Sequence, residues 1–145
     1  MEIKSRAFKD GEYIPSRYTC DGENFNPPLE IYNIPPQAKS LAIIIDDPDA
    51  PSKTWVHWLV WNISVENYSI EENDSLKDVV YGMNDFEKLE YRGPCPPSGT
   101  HRYFFKVYAL DRKLQIPQGA TKDELMNAIE QCKIDSALLV GLYSK

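Results

Sequence analysis

The sequence predicts a mainly β domain with one short helix near its C-terminus, and three observations carry that prediction. Apolar runs are short and rich in β-branched and aromatic residues, proline pairs separate them, and one segment combines a helix start signal with helical spacing. The pairs Pro27-Pro28, Pro35-Pro36 and Pro96-Pro97 fall where a hydrogen-bonded ladder cannot continue.

The elements follow in order. Ser40 to Asp46 is a β-branched apolar run and reads as a strand. From Val56 to Ile63 both alternating faces carry large apolar groups, which predicts a central strand buried on both sides. From His101 to Leu110 one period-two face reads His, Tyr, Phe, Val, while the other carries Arg102 and Lys106, so the first face points inward. Thr121-Lys-Asp-Glu124 has the form of a capping box, and Leu125, Ala128, Ile129 and Cys132 then fall at helical spacing. A closing strand is expected over Ala137 to Tyr143. No linker or repeat divides the chain, so residues 1–145 are expected to form a single domain.

A chain of 145 residues can bury roughly two thirds of its unfolded surface in one core, and 42% hydrophobic with 26% charged residues excludes disorder. The formal charge is −6 and the basic residues are scattered, which argues against a nucleic-acid partner. A small anion is still admissible, because charges beyond about 10 Å are largely screened and a local site can supply the attraction. The longest aliphatic run is only Leu41 to Ile45 and the first residues are charged, so neither a membrane span nor an export signal is expected. Cys20, Cys95 and Cys132 are odd in number and far apart in sequence. They are expected to be reduced thiols of a cytoplasmic protein.

The two histidines, His57 and His101, each begin an apolar strand beside an unusual loop. Asp46-Asp-Pro-Asp-Ala-Pro51 precedes the first, and Gly93-Pro-Cys-Pro-Pro-Ser-Gly-Thr100 precedes the second. Prolines stiffen both loops, and the glycines of the second can bring backbone N–H groups to a ligand. If the strand ends converge, two imidazoles, one or two carboxylates, Tyr103 and backbone amides share a cavity suited to a phosphate or carboxylate oxygen. There an aspartate can orient an imidazole and raise its pKa. Each piece also has a plainer reading, as a core histidine satisfied by a hydrogen bond or as an Asp-Pro turn.

Taken together, Asp47-Pro-Asp-Ala-Pro51, His57-Trp58 and Gly93-Pro-Cys-Pro-Pro-Ser-Gly-Thr-His-Arg-Tyr103 resemble the phosphatidylethanolamine-binding family, and within it the bacterial and archaeal Raf kinase inhibitor-like branch. Tyr18-Thr-Cys-Asp-Gly-Glu-Asn24, Asn84-Asp-Phe86 and Phe104-Phe-Lys-Val-Tyr-Ala-Leu-Asp111 extend the resemblance over nearly the whole chain. It implies a β-sandwich of two antiparallel sheets in a Greek-key arrangement, with an end pocket for phosphate-like groups. By position it places Asp47, His57, Pro97, His101 and Tyr103 in that pocket, with Asp49, Trp55 and Gly93 as neighbours. It implies no cofactor and no catalytic residue, a small phosphorylated or anionic ligand, a kinase or serine protease as a possible regulated partner, and a homodimer as an unsurprising assembly. This chain departs from the usual pattern at Arg92, Glu87 and Glu90, where relatives often have glycine, so a more charged rim is expected.

Two alternatives compete with a binding pocket. His57 and His101 with Asp47 could hold a metal ion, although neither histidine lies in a metal-ligand spacing. Cys95 or Ser98 near His101 could serve a hydrolase, although no nucleophile elbow is present. As an interaction surface, Tyr13, Tyr18, Phe25 and Tyr91 are the loop aromatics expected to be exposed.

Overall fold

The computed structural model describes residues 1–145. The strands are β1 (Glu2–Lys4), β2 (Leu29–Tyr32), β3 (Ser40–Asp47), β4 (Trp55–Ile63), β5 (Ser69–Ile70), β6 (Val80–Tyr81), β7 (Thr100–Leu110) and β8 (Lys133–Ser144), and helix α1 (Lys122–Glu130) precedes the last. The sheets are antiparallel, a small one in the order β1-β2-β5 and a large one in the order β6-β4-β3-β7-β8. Along the large sheet, β7 returns to lie beside β3, so β7-β3-β4-β6 has the strand order of a Greek key.

Alternation along the strands builds two cores. Ile43 and Ile45 of β3, Val60 of β4 and Phe105 and Val107 of β7 face the small sheet and meet Ile3, Leu29, Ile31 and Ile70. Their neighbours Ala42, Ile44, Leu59, Trp61 and Tyr108 face the other way, onto Leu125 and Ile129 of α1. Every residue of β3 is therefore buried, as expected for a strand covered on both faces. Helix α1 starts on the capping box read from the sequence: Thr121 Oγ1 accepts from Glu124 N–H, and the Glu124 carboxylate accepts from Thr121 N–H. β8 begins four residues earlier than its apolar run, because its polar first residues continue the ladder with β7 from Lys133 to Ser144.

Two irregularities in the β3–β4 pairing shape the molecule. Between Leu41↔Ile63 and Ile43↔Val60, β4 carries an extra residue, and Asn62 there adopts a left-handed backbone with φ 60°. Its side chain donates to the Leu114 carbonyl at 3.0 Å and accepts from Leu114 N–H at 2.8 Å, docking the loop that leads to α1. The second irregularity lies between Ile45↔Trp58 and Asp46↔Val56, so His57 is surplus and has no partner on β3. Asn62→Ala removes two hydrogen bonds and leaves a poor left-handed residue, and is expected to cost about 3 kcal/mol. Urea denaturation measures this, and a loss below about 0.5 kcal/mol contradicts it.

Candidate functional site

The surplus residue at His57 breaks the alternation of β4. Val56 faces the helix side, but His57 and Trp58 both turn to the opposite face. There His57 pairs with the backbone of Arg92: its Nδ1 lies 2.6 Å from the Arg92 carbonyl, and its own carbonyl accepts from Arg92 N–H at 3.2 Å. The carbonyl oxygen of Arg92 can only accept, so Nδ1 carries the proton and Nε2 is left for the pocket.

Asp46 and Asp47 end β3 on opposite faces. Asp46 is buried on the helix side, where Lys106 and Lys122 reach it at 2.9 and 2.7 Å. Asp47 alone enters the pocket, so the cavity contains one carboxylate. It accepts from Asp49 N–H at 2.8 Å and sits 2.7 Å from Nδ1 of His101. Both imidazoles thus spend Nδ1 on orientation. Neither Nε2 has a partner within the chain, and neither is among the sealed polar atoms.

Tyr103, two residues along β7 from His101, stands between the rings, 5.3 Å from His57 and 6.5 Å from His101 by centroids. Phe86 closes the other side of His57 at 5.3 Å and stands edge-on to Trp55. The walls are completed by Ala50 and Pro51 from the first loop and by Cys95, Pro96 and Pro97 from the second, enclosing about 220 Å³. Burial pushes the His57 imidazole below its ordinary pKa, opposed by the Arg92 carbonyl and the charge of Asp47. Burial, then the nearby Asp47, pushes the Tyr103 phenol up, so it enters the pocket as a neutral hydroxyl.

Of the expected site residues, Asp47, Trp55, His57, Pro97, His101 and Tyr103 share this cavity. Asp49 stands outside it at the rim. It accepts from Arg102 N–H at 2.9 Å and forms a two-pronged pair with the Arg102 guanidinium, which holds its carboxyl down at about 2. Gly93 lies behind the wall, and its N–H donates to Asn24 Oδ1 at 2.7 Å and is not free for a ligand. A side chain at Gly93 would strike the Tyr18 carbonyl, so glycine is required by close approach.

The candidate set lacked Ala50, Pro51, Cys95 and Pro96, which lie in the two loops it named, and Phe86, which lies outside them. Phe86 lies in an irregular loop organised by buried Asn84, whose Oδ1 accepts from Phe86 and Lys88 N–H while Nδ2 donates to the His57 and Glu90 carbonyls. The Asn84-Asp-Phe86 motif was the available signal. Glu87 in the same loop has φ 62°, the backbone region that favours glycine. Among the loop aromatics, Tyr13 is 57% exposed, but Tyr18 and Tyr91 are buried: Tyr91 donates to the Tyr18 carbonyl at 2.7 Å.

The expectation of three reduced thiols is overturned, because Cys20 and Cys95 form a disulfide and only Cys132 is free. This removes the cysteine argument for a cytoplasmic setting and the Cys95 thiolate that a hydrolase would need. Folding pairs the cysteines by stitching residues 91–95 to 18–24: Cys20 N–H donates to the Pro94 carbonyl beside the Tyr91 and Gly93 bonds. No three His, Cys, Asp or Glu side chains are arranged to hold a metal ion. No helix is long and apolar enough to cross a membrane.

Residues 4–144 match the family model described as phosphatidylethanolamine-binding protein. A UPF0098 protein of Methanothermobacter thermautotrophicus is 52% identical over 100% of this chain and 99% of its own length. One from Chlamydia pneumoniae is 41% identical over 100% and 99%. Among solved structures, a phosphatidylethanolamine-binding protein homologue from Chlamydia trachomatis superposes with a TM-score of 0.95 at 38% identity, covering 99% of this chain and 97% of that one. E. coli YbcL, described as a member of the mammalian family, superposes with a TM-score of 0.93 at 29% identity, covering 99% and 98%.

The disulfide closes a loop across 75 positions. Its loss in a Cys20→Ser/Cys95→Ser variant is expected to cost about 4 kcal/mol through the entropy of the unfolded chain. Urea denaturation of the oxidised protein and the variant checks this, and coincident curves contradict it.

Proposed function

Since the chain belongs to the phosphatidylethanolamine-binding family, we propose that it is a binding protein, not an enzyme, and that its end pocket takes a small phosphorylated or anionic group. One observation carries the reading. Two buried imidazoles are fixed through Nδ1 and present unpartnered Nε2 atoms to a small cavity that no lysine or arginine lines.

The chemistry follows from the protonation of His57. In the empty pocket burial favours its neutral form, and Nε2 is then a hydrogen-bond acceptor. An entering anion favours the imidazolium, which turns Nε2 into a charge-assisted donor. Binding therefore takes up a proton, or selects a ligand that brings one, such as a phosphate monoanion. The ligand raises a pKa that is depressed in the free protein, so affinity is highest at low pH and is lost as pH rises through the bound-state value. The Tyr103 hydroxyl adds a neutral donor, and Trp55, Phe86 and Pro97 exclude water from the bonds.

The chemistry of the pocket supports a phosphate-like headgroup, whichever carrier bears it. Inhibition of a kinase or serine protease is the regulatory role that the resemblance implies. In this reading a ligand in the pocket would act through the rim formed by the Asp49–Arg102 pair.

Calorimetry with inorganic phosphate is expected to find one site, about tenfold tighter at pH 6 than at pH 8. Sulfate, which does not titrate in that range, should show the same direction, which separates His57 from ionisation of the ligand. His101→Ala is expected to weaken both ions about tenfold. Equal binding by wild type and His101→Ala would sink the assignment.

A further inference from the structure

The surplus residue at His57 turns Trp58 to the same face as the histidine, but into a different cavity. This second cleft encloses about 660 Å³, within the usual range of small-molecule sites. It shares no lining residue with the end pocket.

At its floor lie two polar groups in nearly buried side chains. Trp58 is 2% exposed, and its indole N–H has no partner in the chain. The Nε1 of Trp61 is sealed in the core, but that of Trp58 is not, so its N–H faces the cleft. Asn26 is 5% exposed and donates through Nδ2 to the Pro27 and Glu71 carbonyls, leaving Oδ1 as an unused acceptor in the same cleft. The mouth carries Glu23, Asp74 and Glu90; Glu23 pairs with Arg17 and Glu90 with Arg92, three carboxylates to two guanidiniums, and because Arg17 lies over the Phe25 ring the open aromatic surface comes from Tyr81.

That set selects among ligand classes. An anion meets net negative charge. A simple cation suits the carboxylates but leaves the Trp58 N–H unanswered. A hydroxyl does both, accepting from the indole and donating to Asn26 Oδ1 or to a carboxylate, and the C–H face of a sugar ring packs on an aromatic ring. We propose that this cleft is a second binding site, for a hydroxyl-rich uncharged ligand of the saccharide class.

The site is independent of the anion reading, and the test keeps the two apart. Nitrogen-15 NMR of the full chain follows the Trp58 indole resonance, assigned by its loss in Trp58→Phe, while glucose, maltotriose, chitotriose, spermidine and an uncharged tri-alanine amide are titrated separately. At least one saccharide is expected to move this resonance saturably and leave the His57 and His101 signals in place. Affinity, measured by calorimetry because Trp58→Phe lacks the indole reporter, should fall about tenfold in Trp58→Phe, which keeps the ring bulk, and about threefold in Glu90→Gln. Unchanged histidine signals in each variant show that the fold is intact, and a saccharide affinity that survives Trp58→Phe overturns the proposal. An indole signal that no saccharide moves also overturns it, as does one moved only by spermidine or by the peptide.

Discussion

One surplus residue in the pairing of β4 with β3 decides where the chemistry of this protein lies. In regular alternation His57 and Trp58 would point to opposite faces, one of them under α1. With Ile45 opposite Trp58 and Asp46 opposite Val56, both turn to the same side. His57 then lacks a partner on β3 and finds one in the backbone of Arg92, which draws the 84–95 loop against the sheet end. The same loop supplies Phe86 and the proline wall, and its bonds to residues 18–24 bring Cys95 to Cys20. A bulge beside a ligand pocket is a common way to re-aim a side chain without bending the whole sheet.

Burial sets the energetics of the pocket. A neutral imidazole with one satisfied nitrogen is tolerated in a dry cavity, whereas a charged one is costly without a counter-ion. Asp47 is committed to His101 and to Asp49 N–H, so it orients more than it neutralises. In the proposed reading the cavity, with one carboxylate and no lysine or arginine on its walls, gains positive charge on His57 as an anion enters. A lysine-lined site would hold an anion over a wide pH range, whereas the proposed imidazole site would tie binding to protons.

The strands and the helix were legible because their signals are local. Alternation over β7, the doubly apolar β4 and the Thr121–Glu124 box each lie within a dozen residues of sequence. That Asp47, His57, Pro97, His101 and Tyr103 line one cavity was legible because motifs carry them, and Trp55 stands two residues from the His57 motif. Gly93, expected as a neighbour of the pocket, stands behind its wall, and sequence does not show this because its tight contact is with Tyr18 and Asn24, far away in the chain. Asp49, also expected as a neighbour, stands at the rim, since a turn carboxylate can face either a cavity or a neighbouring arginine and only the register with Arg102 decides. The Cys20–Cys95 bond depends on two loops meeting across 75 positions, which counting cysteines cannot reveal. The Trp58 cleft depends on the bulge, and the residue pattern of an apolar strand does not announce an extra residue.

We propose that an anion in the end pocket is held by an imidazolium that forms on His57 as the anion binds. Nitrogen-15 NMR of the histidine rings reads this directly through a pH titration of His57 with and without saturating sulfate. A free-protein pKa below the ordinary histidine value that rises by about one unit or more with sulfate is the predicted result. A His57 titration that is the same in both conditions would contradict the account.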